Sequence, residues 1–185
     1  MKDPRLQLSE YPKRNNFFAG RLLTAEDFQA EQEYFRDKHQ LHNRLLVGFG
    51  VVTGLEVSID RSAKSETVIK VTPGLAIDCR GREIILLEAL EIRVPSSEDV
   101  KYVCIHYAEN ETDPIPLPGA DCPRNSKIEE SYEIIFQAVN PTRGHRRRKS
   151  RWLTCGQDHA IPLARLKQAP GTLRIDGRYH QPSIS

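Results

Sequence analysis

The sequence predicts an α+β fold that is mainly β, with one long N-terminal helix packed on an antiparallel β-sandwich or barrel-like body with long loops. Three observations predict it. One helix-start signature stands at Leu23–Phe28. No Gly or Pro follows it until Gly48. From Val51 onward the apolar period switches from that of a helix to that of strands, in short runs divided by turn signals.

The helix comes first. Thr24 stands at the N-cap, Asp27 at the capping-box position, and Leu23 and Phe28 at the two staple positions. Glu26 and Asp27 suit the positive end of the helix dipole. A helix over Thr24–Val47 would be a rod of roughly 36 Å. Its best apolar stripe runs Phe28, Phe35, His42, Leu46, and a thinner one runs Tyr34, Leu41, Leu45. Both are narrower than the apolar face of an ordinary core helix. The expectation is that Phe28 and Phe35 meet the chain's own sheet. Tyr34, Leu41, His42, Arg44 and Leu45 are then expected to form an interface with a partner protein, a composition suited to binding hot spots. The plainer reading is a helix lying over a sheet with solvated flanks.

Gly48, Gly50 and Gly54 have the look of a dinucleotide fingerprint, but they follow a helix and open a strand, the reverse of what phosphate binding needs. Gly48 is therefore read as a helix C-cap, and Gly50 and Gly54 as bulges or close backbone approaches. Strands are expected over Val51–Ile59, Thr67–Thr72, Leu75–Asp78, Arg82–Leu87, Leu90–Val94, Val100–Ala108, Glu129–Val139, His159–Leu166 and Gly171–Asp176. Pro73-Gly74 is read as a type II turn and Cys79-Arg80-Gly81 as a tight connection.

Two stretches interrupt the strands. Glu109–Lys127 holds Pro114, Pro116, Pro118 and Pro123, so it is expected to be an ordered, extended excursion and not a central strand. Arg143–Arg151 gathers Arg143, Arg146, Arg147, Arg148, Lys149 and Arg151 without an acid. Removing these cations from the 27 Lys and Arg against 25 acids turns the formal charge of +2 into −4. The basic character thus belongs to one loop. That loop is either a solvated segment or an anion contact, for nucleic acid, anionic lipid or an acidic neighbour. Without interleaved aromatics it is a poor platform for nucleic acid.

Little in the chain points to chemistry. No nucleophile elbow, Walker loop, zincin or kinase signature is present. His39 and His42 share a helix face, and Cys122, Cys155 or His159 are the economical donors to complete a zinc site with them, but nothing in the spacing joins them. The cysteines, Cys79, Cys104, Cys122 and Cys155, match no zinc or redox motif in their own spacing. The expectation is a non-enzyme with no catalytic residue, no cofactor and no metal. The opening MKDPRLQLSE has no apolar h-region and no run is long enough to span a bilayer, so a cytoplasmic protein is expected.

The run FFxGRLLTxxDFxxEQxY followed by HNRLLxGxGVVxGLxV resembles a family of small proteins found with phage-tail-like contractile injection systems. The resemblance continues, more weakly and in the same order, through VTPGLAIDxxGREI (Val71–Ile84), YAENETDPIPLP (Tyr107–Pro118), IEESY (Ile128–Tyr132) and PLARL (Pro162–Leu166). The basic run lies outside it. The resemblance implies a structural component of a contractile particle that braces, caps or extends the baseplate, with other baseplate proteins as partners. It also implies a homo-oligomeric ring of three- or six-fold symmetry and contact between the particle and an anionic membrane, nucleic acid being the less expected partner. Residues 1–50 are then the lead-in and helix, and 51–185 the β body with its arm (109–127) and basic loop (143–151).

Overall fold

The computed structural model describes residues 11–60, 67–95, 100–116, 118–119, 122–145, 147–148, 151–152, 155, 157–169 and 172–184. The helix α1 (Ala25–His42) starts where the sequence signals it. Thr24 and Asp27 form the reciprocal capping box, and the acids Glu26 and Asp27 occupy the first turn. The α-helix gives way to a π-helical turn, Asn43–Val47, and closes on Gly48, whose positive φ lets the backbone leave the helix. The lead-in folds against this start: the Asn15 side chain donates to the Asp27 carbonyl at 2.6 Å, and Arg21 pairs with the Asp27 carboxylate.

The body has twelve described strands. They are β1 (Gly50–Gly54), β2 (Val57–Asp60), β3 (Val68–Val71), β4 (Gly74–Ile77), β5 (Glu83–Leu86), β6 (Leu90–Arg93), β7 (Tyr102–Ile115), β8 (Arg124–Gln137), β9 (Arg147–Arg148), β10 (Arg151–Trp152), β11 (Ile161–Ala169) and β12 (Thr172–Ile175). One antiparallel sheet has the order β1-β4-β5, a second β2-β3-β6, and a third, of four strands, β12-β11-β7-β8, while β9 and β10 pair as a small hairpin. No closed barrel forms among them.

The core explains why two small sheets exist in place of one. Val51, Ala76, Ile84 and Leu86 of the first sheet, with Leu55 just beyond β1 and Val71 of the second, pack with Ile105, Tyr107, Ile161 and Leu163 of the third. Ile69 of the second packs with Val103, Ala164 and Leu166 of the third, with Ile59, Ile92, Phe136, Leu173 and Ile175 at the edges. The two small sheets thus form one layer over one face of the four-stranded sheet, the arrangement of a sandwich. Alternate residues of β7, Val103, Ile105 and Tyr107, supply that face.

The strand expected over Val51–Ile59 is broken in two at Leu55, a buried residue with φ 56°, so that β1 and β2 enter different sheets. A bulge in β1 between Val51 and Thr53 lies where close-approach glycines were expected. Pro73-Gly74 is not a type II turn. Gly74 opens β4 directly opposite Gly54 and has no positive φ, which a type II turn requires there. The chain crosses between sheets at this point. A Cβ on Gly74 would lie 2.3 Å from the Thr53 carbonyl oxygen, so glycine is needed for proximity. Over its paired residues, 109–115 and 124–127, the proline-rich excursion is extended, as expected, but it is a ribbon. β7 and β8 continue past the sheet as a two-stranded hairpin, from Glu109↔Glu130 out to Ile115↔Arg124. Pro114 is tolerated there because both strands of a ribbon are edges.

Candidate functional site

Three surfaces converge where the helix meets the body. The first is the helix itself, none of whose residues is buried. Polar groups hold it to the body at several points, and the half-buried Tyr34, Leu41 and Leu45 are partly covered. Arg36 lies 3.8 Å from Glu109, and the Asn43 side chain donates to the Gly81 carbonyl at 2.9 Å and reaches Glu83 at 3.3 Å. The Gln40 carbonyl comes so close to Gly81 that a Cβ there would stand 2.2 Å from its oxygen. A polar cleft of about 140 Å³ lies between, lined by Arg36, His39, Asn43, Arg82, Glu83 and Glu130. It is smaller than the ~300 Å³ at which ordinary small-molecule sites begin.

Because polar groups make this seam, apolarity does not predict which stripe is covered. Phe28 and Phe35, expected against the sheet, are 59% and 62% exposed, and His42 and Leu46 continue the same exposed stripe. Tyr34, Leu41, Arg44 and Leu45 are half-buried. Burial lowers the pKa of Arg44, opposed by Asp37, and its Nε is enclosed without a hydrogen-bond partner among the described residues. The lead-in adds exposed Tyr11, Phe17, Phe18 and Leu22.

The second surface is an ion network under the helix foot. The turn from β4 to β5 is Asp78–Arg82, closed by the Asp78 N–H to the Arg82 carbonyl and the Gly81 N–H to the Asp78 carbonyl, both at 3.0 Å. Gly81 has φ 87°, which this turn requires. The buried Asp78 carboxylate accepts from the backbone N–H of Arg80 and of Arg82, each at 2.8 Å, and from Arg82 Nε at 2.6 Å. Arg82 also reaches Asp158 at 2.5 Å and lies over the Tyr107 ring, 4.4 Å from its centroid. His106 contacts the same Asp158 oxygen at 2.9 Å. Burial works against the Asp158 charge, but the hydrogen bonds from Arg82 and His106 outweigh it and hold the carboxyl below its ordinary range.

The third is a cluster of four metal-ligating side chains, Cys79, His145, Cys155 and His159, whose donor atoms all lie within 4.8 Å of one another. Cys79 comes from the β4–β5 turn. His145 closes a turn begun by Asn140, whose side chain accepts from the Thr142 N–H at 2.9 Å. Cys155 and His159 precede β11. Phe49, fully buried just beyond the end of the helix, has its ring centroid 4.7 Å from that of His145 and 6.2 Å from that of His159. Burial pushes the Cys79 thiol well above its usual range and, together with His159, lowers the His145 pKa. His39 and His42 take no part in this cluster, and Cys122 is exposed elsewhere. The spacing of the cysteines alone concealed it. The local signal was His145, Cys155 and His159 within fifteen residues, visible once histidines are counted with cysteines. Cys104, read as a small buried side chain, is buried in β7, with its thiol pushed up to about 12 by burial.

Of the basic run, Arg143 is exposed, Arg147, Arg148 and Arg151 lie on the β9–β10 hairpin, and Arg146 and Lys149 lie outside the described residues.

No protein-family model matches the sequence, and no curated protein matches it. Among solved structures, the fold is similar to a chain of the type VI secretion system baseplate complex. The TM-score is 0.50 at 14% identity, over 94% of this chain and 60% of that one. It is also similar to a chain of the TssK-TssF-TssG baseplate subcomplex of the type VI secretion system, with a TM-score of 0.51 at 13% identity, over 92% of this chain and 62% of that one. This chain therefore spans less than two thirds of those chains, and at such identity the likeness is one of fold.

Proposed function

We propose that this protein is a non-enzymatic structural subunit of the baseplate of a contractile, phage-tail-like injection particle, bracing, capping or extending it through contacts with neighbouring subunits. The observation that carries the reading is the set of exposed apolar side chains Phe17, Phe18 and Leu22 on the lead-in, Phe28 and Phe35 on the capped helix and Leu46 just beyond it. An isolated domain gains nothing from several exposed aromatic side chains on one arm, whereas an assembly buries them. The fold shared with chains of type VI secretion baseplate complexes supports the same reading, as does the sequence resemblance. His42 lies on the exposed stripe, and the half-buried Tyr34, Leu41, Arg44 and Leu45 flank it as the remainder of the interface. Further copies of the chain in a ring, and an anionic membrane beside the particle, are the other contacts this role entails.

The test separates folding from assembly. The double variant Phe28→Ser/Phe35→Ser should melt almost as the parent does, since each exposed change costs within about 0.5 kcal/mol. Its recovery in purified particles should fall at least about tenfold, the ~1.4 kcal/mol that loss of even a modest hot spot removes. Undiminished recovery would overturn the docking surface, and failure of the parent chain to co-purify with any particle would overturn the role.

A further inference from the structure

We propose that Cys79, His145, Cys155 and His159 bind one Zn²⁺ ion, through both Sγ atoms and both Nε2 atoms, as a structural site. The inference holds whether or not the chain serves in a baseplate. It begins with the direction of the imidazoles. His145 Nδ1 lies 3.0 Å from the Thr142 carbonyl oxygen, and His159 Nδ1 lies 3.1 Å from the Ala160 carbonyl oxygen. A carbonyl only accepts, so each Nδ1 carries the proton and each Nε2 presents its lone pair. The two Nε2 atoms are nevertheless 3.1 Å apart, with Cys79 Sγ 3.3 Å from one and Cys155 Sγ 3.2 Å from the other. A thiol can donate to each Nε2, but the two Nε2 lone pairs facing one another repel, and a cation at the point where all four atoms converge turns that repulsion into coordination. The backbone carbonyls then act as the outer partners that orient metal-bound histidines.

The spacing fits the ion. Zinc bonds of about 2.0–2.1 Å to nitrogen and 2.3 Å to sulfur, at tetrahedral angles, put neighbouring nitrogens about 3.3 Å apart and nitrogen and sulfur about 3.6 Å apart. The observed separations of 3.1, 3.2 and 3.3 Å lie just inside those edges. Two thiolates with two imidazoles are a soft, four-coordinate set that suits zinc over calcium or magnesium. The charge balances as well: both thiols release their protons on binding, and the resulting site of one dication and two thiolates is neutral, which burial against Phe49 tolerates. Four protein ligands leave no open position for a water or substrate, so the site is structural and not catalytic.

Its position says what it holds. It joins the β4–β5 turn, which touches the helix at Gln40, to the two stretches that flank the basic hairpin, 140–145 before it and residues 155 and 157–159 after it. One ion thereby fixes the foot of the helix, the edge of the first sheet and both ends of that hairpin.

The experiment uses the full chain, purified in reducing, chelator-free buffer, loaded with zinc chloride and desalted. Elemental analysis should give about one zinc per chain, falling below about a tenth in Cys155→Ser and His159→Ala and staying unchanged in Cys122→Ser. Cobalt loaded in its place should show the visible absorption of a tetrahedral thiolate site, a readout that does not depend on any variant folding. Stripping the zinc with a chelator should lower the melting temperature by roughly 10 °C. A parent chain that binds less than about a tenth of an equivalent after loading, or retention of zinc by both variants, would overturn the site. So would a Cys79–Cys155 disulfide in the freshly purified chain.

Discussion

Replacing Arg82 by alanine should destabilise the protein by roughly 3 kcal/mol or more, because breaking a buried ion pair by removing one partner leaves the other charge uncompensated. The Asp78 side chain is only 2% exposed and that of Arg82 13% exposed. The two backbone N–H groups that still point at Asp78 keep the loss toward the lower end of the usual range. Arg82→Lys should lose part of the same amount, since an ammonium cannot address Asp78 and Asp158 together while covering the face of Tyr107. Asp158→Asn is the control. That carboxylate is 43% exposed, and its removal should cost about 1 kcal/mol or less. Urea denaturation of the three variants checks the order, and an Arg82→Ala cost below about 1 kcal/mol would show that the network is not a support.

Gly54→Ala should be comparably damaging. A Cβ there would stand 1.9 Å from the Pro73 carbonyl oxygen, and the residue has φ 63°. The left-handed backbone costs a side chain about 1–2 kcal/mol, and forcing the two strands apart adds about 1–3 kcal/mol. The neighbouring contact is backbone, so no side chain can turn aside to make room. Gly177→Ala, where nothing lies within 4 Å and φ is not positive, should be nearly neutral. Equal melting temperatures for Gly54→Ala and Gly177→Ala would mean that β1 and β4 do not approach as described.

The parts of this fold legible in the sequence are those decided by neighbours in the chain. Thr24 and Asp27 announced the helix start because a capping box spans one turn. Alternation announced the first part of β7, whose one face meets the core, and short apolar runs between turn signals announced β3, β5, β6 and β12. Leu55 is where local reading failed: a leucine with positive φ carries no sequence signal, yet it divides one expected strand between two sheets. The helix orientation failed for a different reason. Its seam with the body includes a backbone carbonyl, an asparagine and an arginine, which apolar periodicity does not register, and the thinner stripe of Tyr34, Leu41 and Leu45 is the one partly covered. The Cys/His cluster draws on three separated stretches, of which the run from His145 to His159 alone was local.

The foot of the helix has a mechanical consequence. Contact at Gly81 acts as a fulcrum, and α1 has 18 residues. At about 1.5 Å per residue, Thr24 stands about 24 Å from the contact at Gln40, so each degree of tilt at the fulcrum carries it about 0.4 Å. Stiffness at a few atoms around Gly81, Asn43 and Phe49 therefore sets the pointing accuracy of a long arm, and softening that small region would blur the position of Phe28 far more than that of Leu46.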